Sequence, residues 1–158
     1  MDKTVFAFGG VVRGPSTVCE KSSIPPTRWT PLPPMHYARS FFTPCAFKAL
    51  LYLTSATNGA VESFSPPTET FTVLPVSLPA QLQFRCSSVA FVLNGELILL
   101  NYEKQMASWK IESEAQFRIS ATDRKCCSYH PPIIVETEAY IANDAKVEKW
   151  SVDEERFV

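Results

Sequence analysis

Short apolar runs alternate along this chain with polar or proline-rich joints, at the length of strands rather than helices. Thr4-Val5-Phe6-Ala7-Phe8 opens the series and ends in Gly9-Gly10. A strand is expected over Phe41–Phe47 and another, after Lys48, over Ala49–Leu53. The same pair recurs over Cys86–Val92 and Glu96–Leu100, split by Asn94-Gly95. Asn-Gly is a strong hairpin signal because both residues tolerate positive φ. A third strand is expected at Val61–Phe64, Ala107–Trp109 and Val147–Trp150, with a weaker one at Thr17–Glu20. Turn-prone or charged residues follow at Ser65–Glu69, Glu112–Glu114 and Val152–Glu155, and an aromatic strand then closes each copy. No sustained 3.6-residue apolar stripe interrupts this order. The tail from Asn143 to Val158 is the nearest helical candidate, yet Val147, Trp150 and Phe157 also fit the strand frame.

The copies share a frame. Arg39, Arg85 and Arg124 are each followed by an aromatic 32 or 33 positions later, at Phe71, Phe117 and Phe157. Trp29 stands where an earlier copy would end, and the four aromatics lie 42, 46 and 40 residues apart. Four short strands per repeat of roughly 40–50 residues describe a blade of a β-propeller. The fold class read from the pattern is therefore all-β, with about four four-stranded blades in a single domain. The blades span residues 1–35, 36–78, 79–121 and 122–158, and the first is incomplete, with no room before Thr4 for its first strand. The closing aromatics Trp29 and Phe71 are expected in the core between neighbouring blades, each worth about 1.5–3 kcal/mol on burial.

Composition narrows the function classes. The net charge is −1 and the basic residues are dispersed, so no field gathers nucleic acid or acidic lipid. The longest apolar runs fall far below the roughly 18 residues of a membrane span. The 13 prolines fall mostly between strands, where a missing amide donor costs no ladder bond. Five cysteines form no Cys-x-x-Cys pair. Cys45, Cys86 and Cys126 recur at the first strand of successive copies and read as small buried thiols. Together with the absence of a targeting segment, this makes the cytoplasm the expected compartment.

These residues resemble the kelch repeat. The double-glycine strand is Val5-Phe6-Ala7-Phe8-Gly9-Gly10, and the tryptophan with its exit is Trp29-Thr30-Pro31-Leu32-Pro33-Pro34-Met35, with Ala38-Arg39 behind it. Val61 to Pro75 is similar to the kelch crossing from third to fourth strand. Later copies depart from the pattern. Thr54-Ser55, Asn101-Tyr102 and Asn143-Asp144 stand in the place of the double glycine, and Ser22 stands where later copies carry an aromatic. The resemblance implies a propeller that holds protein or peptide partners at one end of the ring. Some kelch-like propellers carry a copper oxidase site, which needs clustered His and Tyr ligands. Here His36 and His130 both fall in loops with no ligand-spaced partner, so no metal, cofactor or catalytic residue is expected.

The binding candidates are Arg39, Arg85 and Arg124. Recurring at one position of successive blades, they would meet at one end of the ring, and a rim of guanidinium groups suits acidic peptides. The competing reading has each arginine bonded to backbone carbonyls between blades. The expected function is a non-catalytic protein-interaction module. The alternatives are a fragment of a kelch-fold oxidase or lyase and a degenerate copy without function. About four blades are few for this family, which leaves three arrangements open: a fragment, a four-bladed ring completed by a strand from elsewhere, or an arc that self-associates through its unclosed edge.

Overall fold

The computed structural model describes residues 3–10, 14, 16–40, 42, 44–54, 58–80, 88–101, 105–113, 115–121, 132–135, 138–143, 146–151 and 156–157. Among these residues the fold is all-β and contains no α-helix, so no helix is long and apolar enough to cross a membrane. Four antiparallel sheets follow one another along the chain. The first holds β1 (Thr4–Phe8), β2 (Cys19–Ser23) and β3 (Thr30–Pro31). The second holds β4 (Cys45–Phe47), β5 (Leu50–Thr54), β6 (Ala60–Ser65) and β7 (Thr70–Ser77). The third holds β8 (Ser88–Leu93), β9 (Glu96–Asn101), β10 (Gln105–Lys110) and β11 (Arg118–Ala121). The fourth holds β12 (Ile133–Val135), β13 (Glu138–Asn143), β14 (Lys146–Ser151) and β15 (Arg156–Phe157). In every sheet the strands lie in chain order, each paired with its sequence neighbour. In the tail that could have been helical, β14 pairs antiparallel with β15.

Local chemistry explains the joints. Asn94 and Gly95 take φ of 52° and 77°, the paired left-handed residues that a tight hairpin requires. Gly9 has φ +66°, and a Cβ there would stand 2.7 Å from the Arg39 carbonyl oxygen, so only glycine fits.

Strand alternation gives each sheet two faces, one toward the sheet that follows and one toward the sheet before. Phe6, Phe8 and Cys19 of the first sheet pack on Leu51, Leu53, Phe64 and Phe71 of the second. Tyr52, Val61 and Cys45 face Ala90, Leu97, Leu99 and Trp109 of the third. Phe91, Leu93, Ile98, Leu100 and Met106 face Ala139 and Ile141 of the fourth. The ion pairs Lys21–Glu69 and Lys48–Glu112 bridge successive sheets at the surface, where such pairs add little. Apolar burial therefore holds the array together.

This facing pattern fixes the alignment of the copies. Phe6, Tyr52, Ile98 and Tyr140 are counterparts, and so are Ser22, Phe64, Trp109 and Trp150, each paired across from Val5, Leu51, Leu97 and Ala139. Two sequence expectations change. Thr54 corresponds to Phe8 rather than to Gly9, because Leu51 is the counterpart of Val5. Trp29 is not a core residue: it is 43% exposed, whereas Phe71 packs at 4.7 Å from Phe64. The cause is Ser22. Its counterpart Phe64 supplies the ring on which Phe71 rests, and a serine offers Trp29 none. Cys45 is buried in β4 as expected, while Cys86 and Cys126 lie outside the described residues.

Phe64 is fully buried and meets Phe6, Phe8 and Phe71 at 5.4, 5.2 and 4.7 Å. Phe64→Ala is expected to lower stability by about 3–5 kcal/mol in chemical denaturation, whereas Trp29→Ala should cost well under half of that. Equal losses would mean that the two aromatics hold equivalent places.

Candidate functional site

Among the described residues, titratable side chains converge at the crossing from the first sheet to the second. The segment after β3 runs through Met35, His36 and Tyr37 to Arg39, and β6 brings Glu62 beneath it. Arg39 and Glu62 are both 0% exposed. The Arg39 guanidinium donates from Nη1 to Glu62 Oε2 and to the Tyr37 carbonyl at 3.0 Å, and from Nη2 to the Ala60 carbonyl at 3.2 Å. The other carboxylate oxygen, Oε1, accepts from the His36 backbone amide at 2.9 Å and lies 2.6 Å from His36 Nδ1. His36 itself is half exposed. Burial pulls the Arg39 pKa down, and the neighbouring Glu62 carboxylate opposes that shift. Arg39 Nε is buried without a hydrogen-bond partner among the described atoms, and so is Ser22 Oγ.

The backbone of Arg39 is equally engaged. Its carbonyl accepts from the amides of Gly10 and Ser16 at 3.2 and 3.3 Å, and its own amide donates to the Ser16 carbonyl at 2.9 Å. The residue thus pins the end of β1 and the following loop to the start of the second sheet. It is not part of an exposed rim, because its side chain is sealed from solvent and paired with Glu62 of β6. Its partners include the backbone carbonyls of the competing reading and, in addition, a carboxylate. Arg85 and Arg124 lie outside the described residues.

Glu62 and the role of His36 were not anticipated from sequence. A signal existed. Glu62 follows Arg39 by 23 positions, and Glu148, its counterpart in β14, stands at a similar distance from Arg124. Ala107 holds that place in β10, so the third copy carries the arginine without the acid.

Two further features complete the surface. An open cleft of about 560 Å³ lies between the ends of the second and third sheets, lined by Pro75, Val76, Leu78, Pro79, Phe117 and Ile119 among others. Among the described residues no acid, base or thiol lines it. The second feature is the outward face of the fourth sheet. Register places Ile133, Val135, Glu138, Tyr140, Val147 and Lys149 on one side of it. Glu138 accepts from Tyr140 Oη and Lys149 Nζ, each at 2.5 Å. The hydrogen bonds from Lys149 and Tyr140 hold the Glu138 carboxyl below its ordinary pKa. Around this polar centre Ile133, Val135 and Val147 are 68%, 50% and 71% exposed. Their counterparts in the third sheet, Phe91, Leu93 and Met106, are 4%, 2% and 3% exposed beneath the fourth.

The two described thiols, Cys19 and Cys45, are buried, and burial raises both, Cys45 to about 12. Neither is poised as a nucleophile at neutral pH. No group of three or more metal-ligating side chains occurs among the described residues.

No protein-family model matches the chain, and no curated protein does. Among solved structures, the chain is similar to that of YjhT, a β-propeller-like fold, with 14% identity and a TM-score of 0.61. The match covers 94% of this chain and 59% of YjhT. This chain is built of propeller-like blades. It spans less than two thirds of the matched structure, and at this identity the likeness speaks for the fold alone.

Removing one partner of a buried ion pair strands the other charge. Glu62→Ala is therefore expected to cost about 3–5 kcal/mol in chemical denaturation, and combining it with Arg39→Met should recover most of that loss. An unchanged midpoint for Glu62→Ala alone would show that the pair is not sealed from water.

Proposed function

We propose that this chain is a non-catalytic protein-interaction module of the kelch type, docking a protein through the outward face of its fourth sheet. One observation carries the reading. Ile133, Val135 and Val147 repeat, position for position, a face that is buried between the third and fourth sheets, yet here that face is open. Contiguous exposed apolar positions around a polar centre mark interaction surfaces. The titratable cluster supports the same reading. Both oxygens of Glu62 are already bonded, and Arg39 is out of reach of solvent, so the group acts as a structural tie.

A preference for acidic peptides belongs to the same reading. Arg39 is spent on Glu62, and Glu148 stands in frame with Arg124. Arg85 has Ala107 in that place, so Arg85 is the arginine on which acid recognition rests. Reduced thiols in the core suit a reducing compartment, the cytoplasm.

In isolation the outward face has a second copy of the chain as its nearest apolar partner. Light scattering of the purified chain is expected to show association that grows with concentration. Ile133→Lys and Val147→Lys should each return it to a monomer without changing thermal unfolding, because both side chains are already exposed. A wild-type chain that stays monomeric at every concentration would overturn the docking face.

A further inference from the structure

The seam between the second and third sheets is built differently from the seam before it. Leu78 and Met35 are counterparts. Their amides donate to the carbonyls of Gly59 and Thr17, which stand equally far before the counterparts Phe64 and Ser22. In the first seam that place is filled. Arg39 Nη1 lies 3.9 Å from Met35 Sδ and is paired with Glu62, the residue across from Val73. In the third sheet Ala107 stands across from Ile119, the counterpart of Val73, and its side chain ends at Cβ. The cleft of about 560 Å³ opens beside Leu78 and Ile119.

Its walls combine a fixed floor with an accessible rim. β7 departs from regular pairing where it forms one wall. Between the pairs Glu62–Val73 and Ala60–Ser77 it places Leu74, Pro75 and Val76 against Val61 alone. β11 pairs with β10 from Arg118 to Ala121 without such a shift. Bulges bend a strand, re-aim its side chains and recur beside functional sites. Pro75 sits inside the bulge, where its missing amide donor costs no ladder bond. Val76 and Leu78 are buried in the core that also holds Trp109, and Phe117 packs against that core. These three form the floor. Pro75, Ser77, Gln116 and Ile119 are exposed and form the rim.

We propose that this cleft binds an extended, uncharged apolar segment of a partner protein. The surface is separate from the outward face of the fourth sheet. The charge of the lining selects the occupant. Among the described residues no acid or base lines the cleft, and the neighbouring Arg118 is paired with Glu96. A charged side chain entering it would lose water and gain no partner. An apolar side chain would cover Val76, Leu78, Phe117 and Ile119. The polar side chains of the rim, Ser77 and Gln116, are neutral. A primary amide both donates and accepts, as a peptide group does, so Gln116 suits the backbone of the bound segment. The volume falls within the roughly 300–1,000 Å³ of ligand sites, which admits a short run of chain rather than one side chain.

The test is an amide NMR titration of the full chain carrying Ile133→Lys, which keeps self-association through the fourth sheet out of the readout. The probes are the capped peptide acetyl-Ser-Leu-Ala-Leu-Ser-amide, the same peptide with aspartate or with lysine at both leucine positions, and toluene. The leucine peptide is expected to shift amides within residues 76–80 and 115–119 saturably, with no change across β12 to β14. Its Kd should be about tenfold or more below that of either charged peptide. Adding Ile119→Lys should weaken binding by about tenfold or more, whereas Val18→Lys should leave it unchanged, since Val18 is comparably exposed but lies beside β2. No saturable shift at these residues, or equal affinity for the charged and leucine peptides, overturns the proposal. Shifts with toluene and none with the leucine peptide make a small apolar molecule the occupant and overturn the assignment to a partner's chain. Because Ile133→Lys disables the fourth-sheet face, the result stands or falls independently of docking there.

Discussion

A small sheet with two apolar faces cannot bury either by itself, and this structure is organised by that constraint. Each face must be covered by a neighbour, so every sheet depends on the one before and the one after. Phe6 and Phe8 meet Phe64, Tyr52 meets Trp109, and Ile98 and Leu100 meet Ala139 and Ile141. Each contact repeats the last with different side chains. The second and third sheets are covered on both sides. Among the described residues the fourth leaves Ile133, Val135 and Val147 in water, and this is the face proposed to dock a partner.

The ion pair of Arg39 and Glu62 departs from this apolar scheme. Burying two charges is costly, and an apolar pair of similar volume would serve stability as well or better. What the pair supplies is direction. A guanidinium fork reaches the Tyr37 and Ala60 carbonyls and the Glu62 carboxylate at once, while the backbone of the same residue holds Gly10 and Ser16. One arginine thereby fixes where the crossing chain lies relative to both sheets. Gly9 belongs to the same arrangement, since its missing Cβ leaves room for the Arg39 carbonyl.

Features encoded locally were legible in the sequence. The Asn94-Gly95 hairpin and the third strands at Val61, Ala107 and Val147 follow from turn chemistry and alternation within a few residues. What depends on distant partners was not. Trp29 carries the same sequence signal as Phe71, but its burial depends on the residue paired across from it, and there Ser22 replaces the aromatic of the other copies. Sequence left a rim role and a structural role both open for Arg39, because its carboxylate lies 23 positions away. Facing also set the copy alignment by one residue at Thr54, where composition alone could not choose between adjacent positions.

The central claim is that the second and third sheets are covered by a neighbouring sheet on both faces, whereas the outward face of the fourth is open among the described residues. Native-state amide exchange of the whole chain tests it most directly, because protection follows the local cost of opening. The account predicts the slowest exchange in β5, β6, β9 and β10, with markedly faster exchange in β1, β2 and β12. Uniform protection across all four sheets would contradict it, since that result requires the fourth sheet to be covered as fully as the second and third.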